Sequence, residues 1–284
     1  MGGPADVYYR PADAEDLAEF LASLAPDEPI TWIGLGSNVL VNDAGVKGVV
    51  IHTLPIRSEN SEPITVINTT TDHKIIRAEA GIPCAKLSKF CIKEGVEGGE
   101  FFAGIPGTIG GALAMNAGAF GGETWPRVFQ VEVMNRQGQR FIRTPSDYQI
   151  AYRSVKAKDT IQDAKSEWFI AGQFQFPCGD PTLAAKRVKE LLRQRSASQP
   201  IGVFSGGSTF KNPPGDFAGR LIEASKLKGF AIGGAQISEK HANFILNLGN
   251  ASARDLFNLI QHIQAAVLKD HQILLETEVR LLGF

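Results

Sequence analysis

Two stretches of this chain could bring bare backbone against a ligand. Residues 104–123 carry seven glycines in twenty positions, and nearly all the others are small; the run includes Gly104, Pro106, Gly107, Thr108, Gly110, Gly111, Asn116 and Gly118. Backbone without Cβ atoms lets another group approach closely and turns N–H donors toward it, which suits a diphosphate or a flat ring system. Pro106-Gly107 makes a turn into Thr108, a side chain suited to cap a helix, and the helix start would add the positive end of its dipole. The second stretch, Gly34-Leu35-Gly36-Ser37-Asn38, sets the side-chain donors of Ser37 and Asn38 beside backbone amides, as a pyrophosphate cradle requires. No G-x-x-G opens a helix after it, so a Rossmann domain is not expected. Either run alone reads as a tight turn; two in one chain point to cofactor binding.

Other chemistry-bearing residues are sparse. His52, His73, His262 and His271 are scattered without ligand spacing, and His241 reads as a hydrogen-bonded interior histidine, so no metal is expected. Cys84, Cys91 and Cys178 are odd in number and lack C-x-x-C spacing, which argues against a disulfide framework and a zinc cluster and fits a reducing cytoplasm. Gly-x-Ser-x-Gly is absent, and no histidine lies near Ser208 in sequence to suggest a hydrolase triad.

The elements that must carry these loops are legible in outline. Val7-Tyr8-Tyr9-Arg10 reads as a strand with little chain before it, as if the start were trimmed. Asp13 caps a helix with Leu17, Phe20, Leu21 and Leu24 on one face, ended by Pro26 and Pro29. Ile30–Ile33 and Gly48–Ile51 read as strands. A β pattern with a turn at Thr70–His73 fills Leu54 to Glu79, after a change of unit near Pro55. Cys84 to Glu94 is a short helix, and Arg136-Gln137-Gly138 turns a hairpin between Val128–Met134 and Gln139–Ile142. Trp168–Ala171 and Phe174–Phe176 read as a further strand, and Thr182 to Arg195 as a basic amphipathic helix stopped at Gln199-Pro200. A helix from Phe217 to Ser225, a strand at Ala242–Asn247, a long helix from Ser252 to Asp270 and a closing strand at Leu274–Leu281 complete the chain. Met115 and the stripe of Leu256, Leu259, Ile260, Ile263 and Val267 read as core. Three parts follow: 1–54, 55–199 and 200–284.

The whole is an α+β chain of 284 residues, 43% apolar, ample for two or three cores. With 29 Lys and Arg against 30 Asp and Glu, it carries no electrostatic footprint for nucleic acid or an anionic membrane. No apolar run reaches the roughly 20 residues of a membrane span, and no secretory signal opens the chain, so a soluble cytoplasmic protein is expected, as a monomer.

Taken in order, Gly34–Asn38, Ile105–Gly111, Tyr152-Arg153, Gly207–Pro213, His241–Phe244 and Glu278-Val279-Arg280 form a set that resembles the UDP-N-acetylenolpyruvoylglucosamine reductases, the MurB flavoenzymes of bacterial peptidoglycan synthesis. The resemblance covers almost the whole chain. It implies a two-part FAD-binding fold of the vanillyl-alcohol-oxidase type followed by an α+β substrate-binding domain, with FAD held non-covalently between the glycine loops. The cofactor contacts it implies are Gly34, Gly36, Ser37, Asn38, Pro106, Gly107, Thr108, Gly110, Gly111, Asn116 and Gly118. It further implies that NADPH reduces FAD and that hydride then passes to the enolpyruvyl group of UDP-N-acetylglucosamine enolpyruvate, giving UDP-N-acetylmuramate. Hydride addition leaves negative charge on the α-carbon, spread into its carboxylate, which needs donors nearby and then a proton. By the resemblance Arg153 and Glu278 stabilise that charge and Ser208 gives the proton; Tyr152, Lys211, Asn212, Gln236 and Arg195 attend the substrate. For Arg195 the residue itself suggests a helix-end role, and for Lys211 an exposed side chain.

No tyrosine occurs between Ser208 and Gln236, which resembles the loop-lacking type II enzymes, and Val155 stands where many relatives have serine. Two other readings compete. One is a sugar or alcohol oxidase on the same FAD fold, which the set of Ser208, Arg153 and Glu278 disfavours because oxidation needs a base. The other is a nucleotide-sugar binding module without catalysis.

Overall fold

The computed structural model describes residues 2–53, 62–159 and 167–284, so the change of unit expected near Leu54-Pro55 lies outside the described residues. The chain divides into two compact units. The larger comprises Tyr8–Leu35 and Val49–Arg193; the other comprises Met1–Val7, Gly36–Gly48 and Gln194–Phe284. The cut between them falls inside the Gly34–Asn38 loop.

The larger unit is built on a five-stranded antiparallel sheet in the order Arg140–Arg143, Val128–Asn135, Glu167–Pro177, His73–Glu79, Ile64–Thr69. Both expected hairpins are there. Among its described residues this unit has three α-helices and most of a fourth. α1 (Ala14–Ser23) starts at Asp13, whose carboxylate accepts from the Asp16 N–H at 2.8 Å, and stops at Leu24 before Pro26. Its Leu17 and Leu21 are buried with Val49, Ile51, Met134 and Ile170. α2 (Cys84–Lys93) and α3 (Ile109–Met115) pack on the opposite face of the sheet, where Leu87, Cys91, Ile109 and Leu113 meet Ile76, Val131, Phe174 and Phe176. Burial of such side chains stabilises by about 1.5–3 kcal/mol each. Cys84 and Cys91 are buried free thiols, and burial pushes both far up; Cys178 is exposed. α4 (Pro181–Ser198) outruns the expected Thr182–Arg195 at both ends. Ile30–Ile33 pairs in parallel with Val49–His52.

The other unit packs α5 (Ala218–Ala224) and α6 (Ala253–His271) on a four-stranded sheet in the order Phe204–Ser208, Phe244–Asn247, Ala235–Ile237, Ala231–Ile232. Leu221, Leu259, Ile260, Ile263, Ile237 and Ile245 make its core. Ser252 and Asp255 form a capping box at α6, and the carboxylate of Asp43 accepts from the N–H groups of Ala253 and Arg254 at 2.8 and 2.9 Å. The expected strand Leu274–Leu281 is corrected. Only Arg280–Leu282 is strand, parallel to Val39–Val41. The chain ahead of it bonds a different neighbour: Lys211 N–H donates to Glu276 O, and Thr277 bridges Phe210. Changing partners midway breaks the ladder.

On the sheet face away from α2 and α3, Arg77 makes a two-pronged pair with Glu132 (2.7 and 2.8 Å), Gln173 donates to Glu132 at 3.1 Å, and Gln130 donates to Gln173 at 2.9 Å. Glu79 lies beside this network, 6% exposed, 3.9 Å from Arg77 Nη1, with Oε2 lacking a hydrogen bond. Burial pushes its carboxyl up to about 7, Glu132 adding to the rise and Arg77 opposing it. Between its ordinary 4.5 and about 7 the folded chain keeps a proton that the unfolded chain has released, so stability falls as pH rises through that window and levels above it. Glu79→Gln is therefore expected to flatten the pH dependence of Tm and to raise Tm at pH 8 by roughly 2–4 °C, read by thermal melting.

Candidate active site

In the larger unit the two glycine loops meet. A Cβ on Gly34 would lie 2.5 Å from Thr108 Oγ1, so backbone of the first loop rests on the side chain that opens α3. Thr108 is the expected N-cap: its Oγ1 accepts from Gly111 N–H at 3.4 Å. The picture of uncommitted amides at this turn needs correction. Ile109 and Gly110 donate to Ile82 O and Ala80 O, both at 2.8 Å, and Gly107 O accepts from Cys84. Those bonds tie the glycine run to the end of the central sheet. Gly110 is needed because its Cβ would sit 2.9 Å from that of Ala80, whereas a Cβ on Gly111 would meet nothing nearer than Thr108 Oγ1 at 3.6 Å. Pro106 and Gly107 make the turn that leads in.

Asn116 closes α3 in the left-handed conformation, φ 44°, and is 1% exposed. Its Nδ2 donates to Glu123 Oε2 at 3.0 Å and Ala151 O at 3.4 Å, and its Oδ1 accepts from Trp125 N–H at 3.1 Å. Ala151 ends the first strand of a hairpin, Tyr148–Ala151 with Ser154–Ala157, whose two-residue turn is Tyr152-Arg153. The sequence reading missed this hairpin. Arg153 has φ 54°, a left-handed backbone that costs energy for a long side chain. Its Nη2 donates to Gly118 O at 3.4 Å, and its guanidinium lies 5.3 Å from the centre of the Tyr152 ring. Gly118 must lack a side chain, since a Cβ would fall 2.3 Å from Gly122 O.

In the other unit the backbone of Glu278 meets that of Thr209, the residue after Ser208. Ser208 pairs with Phe244 after a register shift that takes in Gly206 and Gly207, the latter at φ 76°. The next residue, Thr209, accepts at its carbonyl from Glu278 N–H at 2.8 Å. Asn38 Nδ2 donates to Glu278 O at 3.1 Å, and Asn38 O accepts from Arg280 N–H at 3.0 Å. An expected cofactor donor thus also holds the glutamate's backbone; Gly36, at φ 68°, and Ser37 precede it. Asn243, 4% exposed, clamps the serine strand: its Oδ1 accepts from Phe210 N–H at 3.0 Å and its Nδ2 donates to Phe210 O at 2.8 Å. No spacing rule in a single sequence marks it. His241 Nδ1 accepts from Asn243 N–H at 3.3 Å, and burial lowers its pKa, as an interior histidine would show.

The residues expected around substrate have internal partners too. Lys211 is not simply exposed: its Nζ pairs with Glu276 at 3.1 Å. Asn212 Oδ1 accepts from Ala218 N–H at 3.1 Å at the start of α5. Gln236 Nε2 donates to Gly229 O at 3.0 Å. Arg195 Nε donates to Gln199 Oε1 at 2.9 Å just past α4, and burial lowers its pKa. Arg153 belongs to the larger unit and Ser208 and Glu278 to the other. Among the described residues no three His, Cys, Asp or Glu side chains gather as a metal-ligand set, and no helix is long and apolar enough to cross a membrane.

Comparison with known proteins defines the class first. Residues 5–142 match an FAD binding domain family, and residues 199–282 match the C-terminal domain of UDP-N-acetylenolpyruvoylglucosamine reductase. This is a flavoprotein of mixed helix and strand. A Coxiella burnetii (strain Dugway 5J108-111) protein named UDP-N-acetylenolpyruvoylglucosamine reductase is 53% identical over 294 residues, covering 100% of this chain and 91% of that one. One of the same name from Methylococcus capsulatus is 48% identical, covering 100% and 88%. The crystal structure of MurB from Thermus caldophilus superposes with a TM-score of 0.79 at 29% identity, over 97% of this chain and 92% of that one. The chain belongs to the UDP-N-acetylenolpyruvoylglucosamine reductase family, as its motifs led us to expect. The FAD binding family match spans both glycine loops, and a Cβ on Gly111 there would meet nothing nearer than Thr108 Oγ1 at 3.6 Å.

Two outcomes test this geometry. Gly34→Ala drives a methyl group into Thr108 and is expected to lower both Tm and flavin content, while Gly111→Ala folds with an unchanged Tm; thermal melting and flavin absorbance read both. Asn243→Ala strands the buried N–H and C=O of Phe210 and is expected to cost about 1–3 kcal/mol in denaturant unfolding.

Proposed function

We propose that Ser208, Arg153 and Glu278 are the reacting residues of an FAD-dependent, NADPH-driven reduction of UDP-N-acetylglucosamine enolpyruvate to UDP-N-acetylmuramate, a step of peptidoglycan synthesis. The reaction is that of the family to which the chain belongs. The observation that supports the residue assignment is the hydrogen bond from Glu278 N–H to Thr209 O, which seats the glutamate alongside the residue next to Ser208.

When bound, FAD supplies hydride to the enolpyruvyl group. The protein's part is to hold the acceptor, offset the charge that develops on its α-carbon and carboxylate, and deliver a proton. Arg153 serves the charge with a planar guanidinium that offers forked donors. Glu278 serves it either protonated or as a donor through its neighbourhood, since a bare carboxylate would repel the intermediate. The Ser208 hydroxyl gives the proton; it is a weak acid, but an α-carboxy carbanion is so strong a base that position outweighs acidity. Tyr152, Lys211, Asn212, Gln236 and Arg195 are assigned to substrate, and Gly34, Gly36, Ser37, Asn38, Pro106, Gly107, Thr108, Gly110, Gly111, Asn116 and Gly118 to the cofactor. We further assign the parts 1–54 and 55–199 to FAD and 200–284 to substrate, and the protein to the cytoplasm as a monomer free of membrane.

Ser208→Ala is expected to leave reduction of the flavin by NADPH intact and to slow its reoxidation by the enolpyruvyl substrate by about 10²–10³-fold, followed by stopped-flow absorbance. Equal loss in the two half-reactions would contradict the role.

A further inference from the structure

Asn243 is in neither the glycine loops nor the reacting set, yet it closes the strand that carries Ser208. Ahead of the serine the chain is held weakly. Pairing with Phe244–Asn247 takes in Phe204 and Ser205, lapses over Gly206 and Gly207, and returns where Ser208 lies opposite Phe244. Gly207 takes φ 76°, and a Cβ there would meet nothing within 4 Å, while one on Gly206 would meet Val279 Cγ2 at 3.6 Å. Two glycines so loosely surrounded do little to fix the residue that follows them.

Behind the serine the hold is tight, and much of it comes from one residue. Thr209 N–H donates to Asn243 O at 2.8 Å, Phe210 N–H donates to Asn243 Oδ1 at 3.0 Å, and Asn243 Nδ2 donates to Phe210 O at 2.8 Å. Phe210 and Asn243 are 1% and 4% exposed, so water does not replace the two side-chain bonds if they are lost. Glu278 has a clamp of its own: Asn38 Nδ2 donates to its carbonyl, and Asn38 O accepts from Arg280 N–H. Loss of the Asn243 side chain therefore falls first on Ser208. We infer that Asn243 is a positioning residue for the proton transfer: its carboxamide pins the N–H and C=O of Phe210 and so fixes the backbone from which the Ser208 hydroxyl is presented. This role rests on the reading of Ser208 as the proton donor, and the experiment separates the two.

The holoenzyme is followed through its two half-reactions by stopped-flow absorbance, with flavin content and Tm measured on each variant. Asn243→Ala is expected to slow reoxidation by the enolpyruvyl substrate about tenfold, within what a small misplacement of a reacting group costs, and to leave reduction by NADPH unchanged. Combined with Ser208→Ala, it is expected to slow reoxidation by less than about twofold more, because displacing the backbone costs little once the hydroxyl is gone. Asn243→Asp offers a donor beside an acceptor only while its carboxyl is protonated, a form that burial favours, and is expected to reoxidise within about threefold of wild type at pH 6 and more slowly at pH 8. That variant carries the test on its own if Asn243→Ala fails to retain flavin. Equal slowing of both half-reactions in Asn243→Ala, its full tenfold loss persisting on Ser208→Ala, or an Asn243→Asp chain that stays tenfold slow at pH 6 overturns the inference and leaves the role of Ser208 standing. Wild-type reoxidation by Ser208→Ala overturns both the inference and the reading on which it rests.

Discussion

The contact of Gly34 with Thr108 is the constraint on which the larger unit's loops depend. The backbone of Gly34 lies this close to Thr108 because it lacks a Cβ, and the 2.5 Å that a Cβ would leave to Oγ1 means any other residue forces Thr108 to shift. Both partners are delivered by rigid structure. Gly34 follows a strand locked in parallel to Val49–His52, and Thr108 opens a helix whose first amides are bonded to Ala80 and Ile82 at the end of the central sheet. Ala80 in turn donates to Ile170 O, in the middle strand of that sheet. Loops held this way keep their shape without a ligand, so binding need not order them.

The other unit solves a different problem. Ser208 and Glu278 lie where regular β-pairing fails, after a bulge in one strand and ahead of a change of partner in another segment. Broken ladders leave backbone groups that must still be paired. Side-chain amides take over: Asn243 satisfies both groups of Phe210, and Asn38 holds the carbonyl of Glu278. An asparagine offers donor and acceptor side by side, so it can mimic a strand neighbour where none is available. Irregular backbone is thereby made as specific as a strand.

Polar side chains on the outer face of the large sheet follow the same economy with a different result. The Arg77–Glu132 pair is closed by Gln173 and Gln130, and Glu79 beside it keeps a buried oxygen lacking a hydrogen bond. A carboxyl so placed favours its neutral form. The opposite face is packed with Phe174, Phe176, Leu87 and Ile109, whose burial offsets such a cost.

Much of the fold was readable from residue order. Asp13 as a cap, the hairpin at Arg136-Gln137-Gly138, Thr108 opening α3 and the apolar stripe of α6 all depend on neighbours within a few positions, and local sterics and periodicity decide them. The glycine loops and the family motifs were equally plain, because the chemistry they serve restricts residue type. Tertiary structure alone decided where their hydrogen bonds go. That Gly110 spends its amide on Ala80, that Asn116 braces the hairpin carrying Arg153, that Asn38 holds Glu278, and that the last segment is strand only over Arg280–Leu282 are outcomes of distant strands arriving at a given height and register. A backbone donor takes whichever acceptor the fold brings to it, and one sequence, read along its length, does not say which acceptor that is.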